Sequence, residues 1–202
     1  MVMRWEDTYR TIEGRVETVF TEKRSKFIAI ALPVRTIEDV KNHLGEFQKK
    51  YYDARHVCYA YMLGADRENF RANDNGEPSG TAGKPILGQI NSNELTDVLI
   101  VVVRYFGGVK LGTSGLILAY RAAAAQAIAE AVIVEKTVDE EVGVSFEYPF
   151  MNDVMRIVKE EQPDILEQSY DMDCLMRLRI RKAKMPRLRS RLEKVETLRF
   201  LL

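Results

Sequence analysis

The sequence predicts an α+β protein in two domains, on three observations. Short β-branched and aromatic runs alternate with helical periodicities through most of the chain. Composition shifts near Ile133–Val138. After that shift the pattern reads strand, helix, strand, strand, helix, strand within about 65 residues, the ferredoxin-like βαββαβ order. The expected division is residues 1–134 and 135–202, without an internal repeat or a low-complexity linker.

Each element has its own signal. Tyr9–Val19 and the apolar run FIAIALPV at Phe27–Val34 predict a hairpin joined through TEKRSK. Thr36 is a good N-cap, and Glu38 and Asp39 complement the helix dipole behind it. Ile37, Val40, Leu44 and Phe47 then recur at helical spacing, which predicts an amphipathic helix from Thr36 to about Lys50. His56–Leu63 reads as a strand, with Phe70–Ala72 as a short partner. Asp74–Glu77, DNGE, is a turn. Ser79 is expected to cap a helix holding Ile86, Leu87 and Ile90, with Pro85 limiting where it starts. Asp97–Phe106 is the most hydrophobic stretch and reads as a buried strand. Thr113 or Ser114 is expected to cap the helix that follows, whose alanines at 122–125 favour helix and close approach to a sheet. The last segment predicts strands at Thr137–Phe146, Ile165–Met172, Leu175–Arg181 and Thr197–Leu202, with helices at Pro149–Glu161 and Pro186–Val195.

The chain has 202 residues, 46% hydrophobic and 30% charged, an ordinary globular composition. Cys58 and Cys174 are far apart, which fits a reducing, cytoplasmic setting better than a disulfide scaffold. The opening MVMRWEDTYRTIEG lacks the apolar core of a signal peptide. No window approaches the roughly 20 apolar residues of a membrane span. Formal charge balances at 30 basic and 30 acidic residues, but the charges are segregated. Glu135–Leu175 holds 12 acids and 3 bases, and Met176–Leu202 holds 10 bases and 2 acids, giving −9 beside +8. Segregation of this kind bears on partners more than the total does.

Two loops flank the buried strand. GGVKLGTS, residues 107–114, follows a strand and precedes a helix, the setting of a phosphate-binding loop. Gly107 and Gly112 have the spacing of a Walker A motif, but Thr113 stands where its lysine would be, which argues against ATP or GTP hydrolysis. Lys110 and Arg104, with backbone amides near Thr113 and Ser114, could instead hold a nucleic-acid phosphate. The alternative is a glycine turn demanded by tight packing. In GEPSGTAGKP, Glu77, Ser79 and Thr81 are the dense polar group. Ser79 as a nucleophile would need a base, only His43 and His56 are available, and no G-x-S-x-G elbow surrounds it. Helix capping and a structural turn are the simpler reading, with Glu77 binding backbone donors or a ligand as the other. His56 and Cys58 share a strand face but lack a second pair to complete a metal site.

In MRLRIRK, Met176, Leu178 and Ile180 alternate with Arg177, Arg179 and Arg181. The apolar set would face helices, and the arginines would line an open sheet face. Arg187, Arg191 and Lys194 fall on the outward side of the next helix. Together they suggest phosphate-backbone contact, without the aromatic pair that base stacking on a sheet requires. The alternative is cross-strand pairing with the acids of Glu167–Asp173.

SKFIA (25–29), HVCYAY (56–61), NDNGEPSGTAGKP (73–85) and RYFGGVKLGTSGL (104–116) resemble the signatures of the YigZ/IMPACT family, across nearly the whole chain. The sequence departs from that pattern at Asn75, where the family usually has an acid, and at Ser114, often a glycine. The resemblance implies an N-terminal domain similar to a βαβ domain of a small-subunit ribosomal protein. It implies a C-terminal domain similar to a ferredoxin-like domain of elongation factor G. It also implies a role connected with translation, eukaryotic relatives being regulators of an initiation-factor kinase pathway. Dipeptidase-type names occur in the family, but no residue set here suits a dipeptidase metal pair. The expectation is therefore a cytoplasmic, non-enzymatic regulator with no cofactor and no metal. It would bind RNA or a ribosome-associated factor through Arg104, Lys110, Thr113, Ser114, Arg177, Arg179, Arg181 and Arg187. Glu77, Ser79 and Thr81 form its signature loop. The rival expectations are an enzyme with a pocket between the two glycine-rich loops and Glu77 as base, and a protein–protein adaptor.

Overall fold

The structure, a computed structural model, describes residues 7–170 and 173–201. Residues 1–6 of the opening segment, and the strand ends expected at Met172 and Leu202, lie outside the described residues. Two compact units emerge. One is Tyr9–Lys136; the other runs from Thr137 onward and includes Asp7 and Thr8.

The first unit contains β1 (Thr8–Glu13), β2 (Val16–Glu22), β3 (Ser25–Pro33), α1 (Ile37–Lys50), β4 (His56–Leu63), β5 (Asn69–Asn73), α2 (Gly83–Ser92), β6 (Val98–Tyr105), α3 (Gly112–Glu130) and β7 (Val132–Thr137). Its main sheet has five strands in the order β2-β3-β6-β4-β5, antiparallel throughout. The sheet is covered on both faces, which is why its central strands read as near-continuous apolar runs rather than alternating ones. Ile28, Ile30, Leu99, Val101 and Val103 pack with Val40 and Phe47 of α1. The alternate residues Ala29, Ala31, Cys58, Ala60, Ile100 and Val102 pack with α2 and α3. Alanines on β3 meet Ala119, Ala123 and Ala127 of α3, so that helix lies close to the sheet. β1 and β7 form a separate two-stranded sheet.

Local chemistry sets several boundaries. Thr36 accepts from the Asp39 N–H at 3.0 Å while the Asp39 carboxylate accepts from the Thr36 N–H at 2.9 Å, a reciprocal cap that starts α1. The connection read as TEKRSK is only two residues long, because Glu22 pairs with Ser25. Lys23 and Arg24 turn the hairpin at φ +43° and +67°.

The second unit contains β8 (Asp139–Phe146), α4 (Met151–Glu161), β9 (Asp164–Tyr170), β10 (Cys174–Arg181), α5 (Met185–Leu192) and β11 (Arg199–Leu201). The sheet order β11-β8-β10-β9 places the first and third strands at its centre, as the ferredoxin-like pattern requires. Val142, Val144, Phe146, Met176, Leu178 and Ile180 face α4 and α5 in one core. The strand expected to begin at Thr137 is divided, since β7 ends there and β8 begins at Asp139. Among the described residues, no helix is long and apolar enough to cross a membrane.

Candidate functional site

The loop between β5 and α2 is organised by Asp74. Its carboxylate accepts from the N–H groups of Gly80 (2.8 Å), Ala82 (2.9 Å) and Gly83 (2.8 Å). These amides lead into α2, whose N-cap is Ala82 with no cap from its own side chain. Asp74 therefore does what was expected of Ser79, which is exposed. Thr81 is buried and donates to the Pro78 carbonyl at 2.6 Å. Burial alone would raise the Asp74 carboxyl, but the three backbone donors outweigh it and hold it below the ordinary aspartate value.

Glu77 is turned into the unit. Its Oε1 accepts from Arg104 Nη1 at 2.7 Å and from the Tyr120 hydroxyl at 2.9 Å. The two charged side chains are 3% and 7% exposed. Arg104 lies on the β6 face that meets α3, over the rings of Phe27 and Phe106 at 5.7 and 5.6 Å. Cys58 Sγ sits 3.3 Å from the Tyr120 hydroxyl and 2.9 Å from the Asp74 carbonyl. Burial pushes the Cys58 thiol up to about 12. Burial, with Cys58 and Glu77 beside it, also raises the Tyr120 phenol. Both groups are therefore neutral, and the cluster holds one carboxylate against one guanidinium. The arrangement clamps the signature loop to β6 and α3. It withdraws Arg104 from the phosphate-contacting role expected of it, and leaves Glu77 without the open access a general base needs. His56 and Cys58 do face the same way, but toward this loop: His56 Nδ1 donates to the Asn75 carbonyl at 2.9 Å.

The second loop leaves the same end of β6. Gly107 is there for space: a Cβ would lie 2.0 Å from the Arg24 carbonyl carbon. The turn reading of that glycine is thus met by packing against the β2–β3 hairpin. Beyond it, Lys110, Gly112, Thr113 and Ser114 are exposed. Leu111 is the N-cap of α3, and no side chain caps the helix. Thr113 and Ser114, one of which was expected as the cap, lie inside the first turn. That turn carries no acid, and Lys110 makes no ion pair among the described residues.

In the second unit the arginines alternate outward on β10 as expected, but each meets a carboxylate. Arg177 reaches Glu167 at 3.2 Å, and Arg179 reaches Asp164 at 3.0 Å. Arg181 contacts Asp7 at 3.0 Å, and Arg187 contacts Glu161 at 3.0 Å. The register dictates the first of these, since Arg177 stands directly opposite Glu167. This is the cross-strand pairing the sequence left open as an alternative.

The capping role of Asp74, the contact of Cys58 with Tyr120 and the Glu77–Arg104 partnership were not visible in the residue patterns. The available signal was alternation, which puts Arg104 in phase with Ile100 and Val102 on the face beneath α3.

Comparison with known proteins matches residues 23–128 to the Impact N-terminal domain. The chain belongs to the IMPACT family. It is 32% identical over 172 residues to the IMPACT family member YigZ of Escherichia coli, covering 84% of each chain. It is 33% identical over 155 residues to the IMPACT family member YvyE of Bacillus subtilis, covering 77% of this chain and 71% of that one. A crystal structure of a hypothetical protein matches 98% of both chains at 29% identity and TM-score 0.76, so that chain shares the folds of both units. The two-domain translational regulator Yih1 is a fainter likeness, at 22% identity, TM-score 0.35, 64% of this chain and 48% of that one.

Proposed function

We propose that this IMPACT family member is a cytoplasmic, non-catalytic, translation-associated binding protein that contacts RNA phosphate through its first unit. The observation that carries the reading is the exposed set Lys110, Thr113 and Ser114 at the start of α3. There the helix presents uncapped amides, no first-turn acid and a lysine without a carboxylate partner. An anion completes such a helix end, and phosphate backbones are recognised by amides, hydroxyls and cations of this kind. The family resemblance supports a connection with translation. In the second unit Arg177 and Arg179 of β10 face acids at close range, so that strand offers phosphates little net field.

The test is binding of labelled single-stranded RNA, followed by fluorescence anisotropy at several salt concentrations. Lys110→Glu is expected to weaken binding by about tenfold or more at moderate salt and to flatten the salt dependence. Arg177→Glu is expected to stay within about twofold of the parent, because its phosphate field is already offset. Binding that ignores salt, or that survives Lys110→Glu unchanged, contradicts the reading.

A further inference from the structure

A second basic feature lies between α2 and α3, in a groove of about 450 Å3 lined by Gly80, Lys84, Pro85, Gln89, Ile117 and Arg121. Lys84 and Arg121 are exposed, and neither makes an ion pair among the described residues. α2 contains no acid, and the acid of α3 is Glu130, more than two turns beyond Arg121. The carboxylate that faces Lys84 is Asp74, whose oxygens are already taken by three backbone amides.

Lys84 occupies the first turn of α2, where the helix dipole is positive. The Asp74 carboxylate, which caps that turn, offsets the dipole and attracts the lysine, and the exposed Lys84 side chain stays open to an outside anion. The neighbouring geometry keeps the groove open. A Cβ at Gly80 would meet the Lys84 stem at 3.6 Å, so the lysine lies along the loop, and a Cβ at Gly88 would meet nothing within 4 Å. Ser114, Ile117 and Arg121 recur at i, i+3 and i+7 and so share one face of α3. That face links the groove to the exposed helix start over about 10 Å.

We infer that this groove is a second phosphate-ester site, and that it carries a single-stranded RNA backbone onward from the start of α3. Lys84 and Arg121 hold phosphate, Gln89 hydrogen-bonds a sugar or base edge, and Pro85 and Ile117 form the apolar wall. The inference rests on the RNA reading above and extends it to residues that reading does not use.

The experiment titrates labelled single-stranded RNA against the full chain and its Lys84→Glu, Arg121→Glu and Lys110→Glu variants, with AMP as the mononucleotide probe. Lys84→Glu and Arg121→Glu are each expected to weaken RNA binding at least about fivefold, and each lost phosphate contact should lower the log–log salt slope by about 0.7. Lys84→Arg and Arg121→Lys should retain binding. Should a charge reversal lower the melting temperature, Lys84→Gln and Arg121→Gln provide the same readout with less disturbance. RNA binding that is sensitive to Lys110→Glu but indifferent at Lys84 and Arg121 overturns the groove and spares the Lys110 reading. A parent protein that does not bind RNA overturns both. AMP that displaces RNA at concentrations comparable to the oligomer's own overturns the extended backbone in favour of a mononucleotide.

Discussion

Replacing Glu77 by glutamine would leave the Arg104 guanidinium buried with its charge uncompensated. Breaking a buried pair in this way costs about 3–5 kcal/mol, so Glu77→Gln should lower the denaturant midpoint sharply. The double variant Glu77→Leu/Arg104→Leu should lose less than the single change, because no orphan charge remains. An unchanged midpoint in Glu77→Gln would show that the clamp contributes nothing. Asp74 makes a second prediction, about acid. Its carboxyl is held below the ordinary aspartate value in the folded chain, so its stabilising effect is complete above the unfolded value of about 3.9 and fades as pH falls through the folded one. Asp74→Asn should therefore flatten the loss of stability below about pH 4 relative to the parent, as read by thermal melts across pH. At this scale the sequence was only partly legible. Glu77 stood out because it sits among glycines and small hydroxyl residues. Its partners did not, because Arg104 and Tyr120 lie 27 and 43 positions away and only the packed fold joins them.

Among the elements, the β2–β3 hairpin carries backbone strain in its turn. Lys23 and Arg24 both adopt the left-handed backbone that a two-residue hairpin turn favours, yet neither is Gly or Asn. Arg24→Gly should stabilise the first unit by roughly 1 kcal/mol, since a side chain in that region costs about this much. A melting temperature at or below the parent's would refute it. α1 was legible almost to the residue, because Thr36 and Asp39 state its start and the apolar spacing states its face. The starts of α2 and α3 were misread for one physical reason. A serine or threonine near a helix start looks like a cap, but here Asp74 serves α2 from nine residues upstream and α3 has no side-chain cap. TEKRSK looked like a six-residue loop because lysine and arginine are poor turn signals, although Glu22 and Ser25 pair across it.

For the molecule as a whole, the −9 and +8 segments do not create opposed surfaces; they neutralise each other strand against strand. The two-layer order of the last segment was legible because strand alternation and helix spacing persist there without interruption. The pairing of β1 with β7 was not, since each strand looks unremarkable until the other is beside it. That pairing bears on the two ends of the first unit. The Val138 N–H donates to the Asp7 carbonyl at 2.7 Å, so the backbone enters Tyr9–Lys136 and leaves it at neighbouring points. Such a segment is a natural cassette. It can be closed head to tail by a peptide ligase, or spliced into a surface loop of a host protein, with little backbone rearrangement. The remainder is less portable, because a clean cut after Lys136 strips it of Asp7, the carboxylate that meets Arg181.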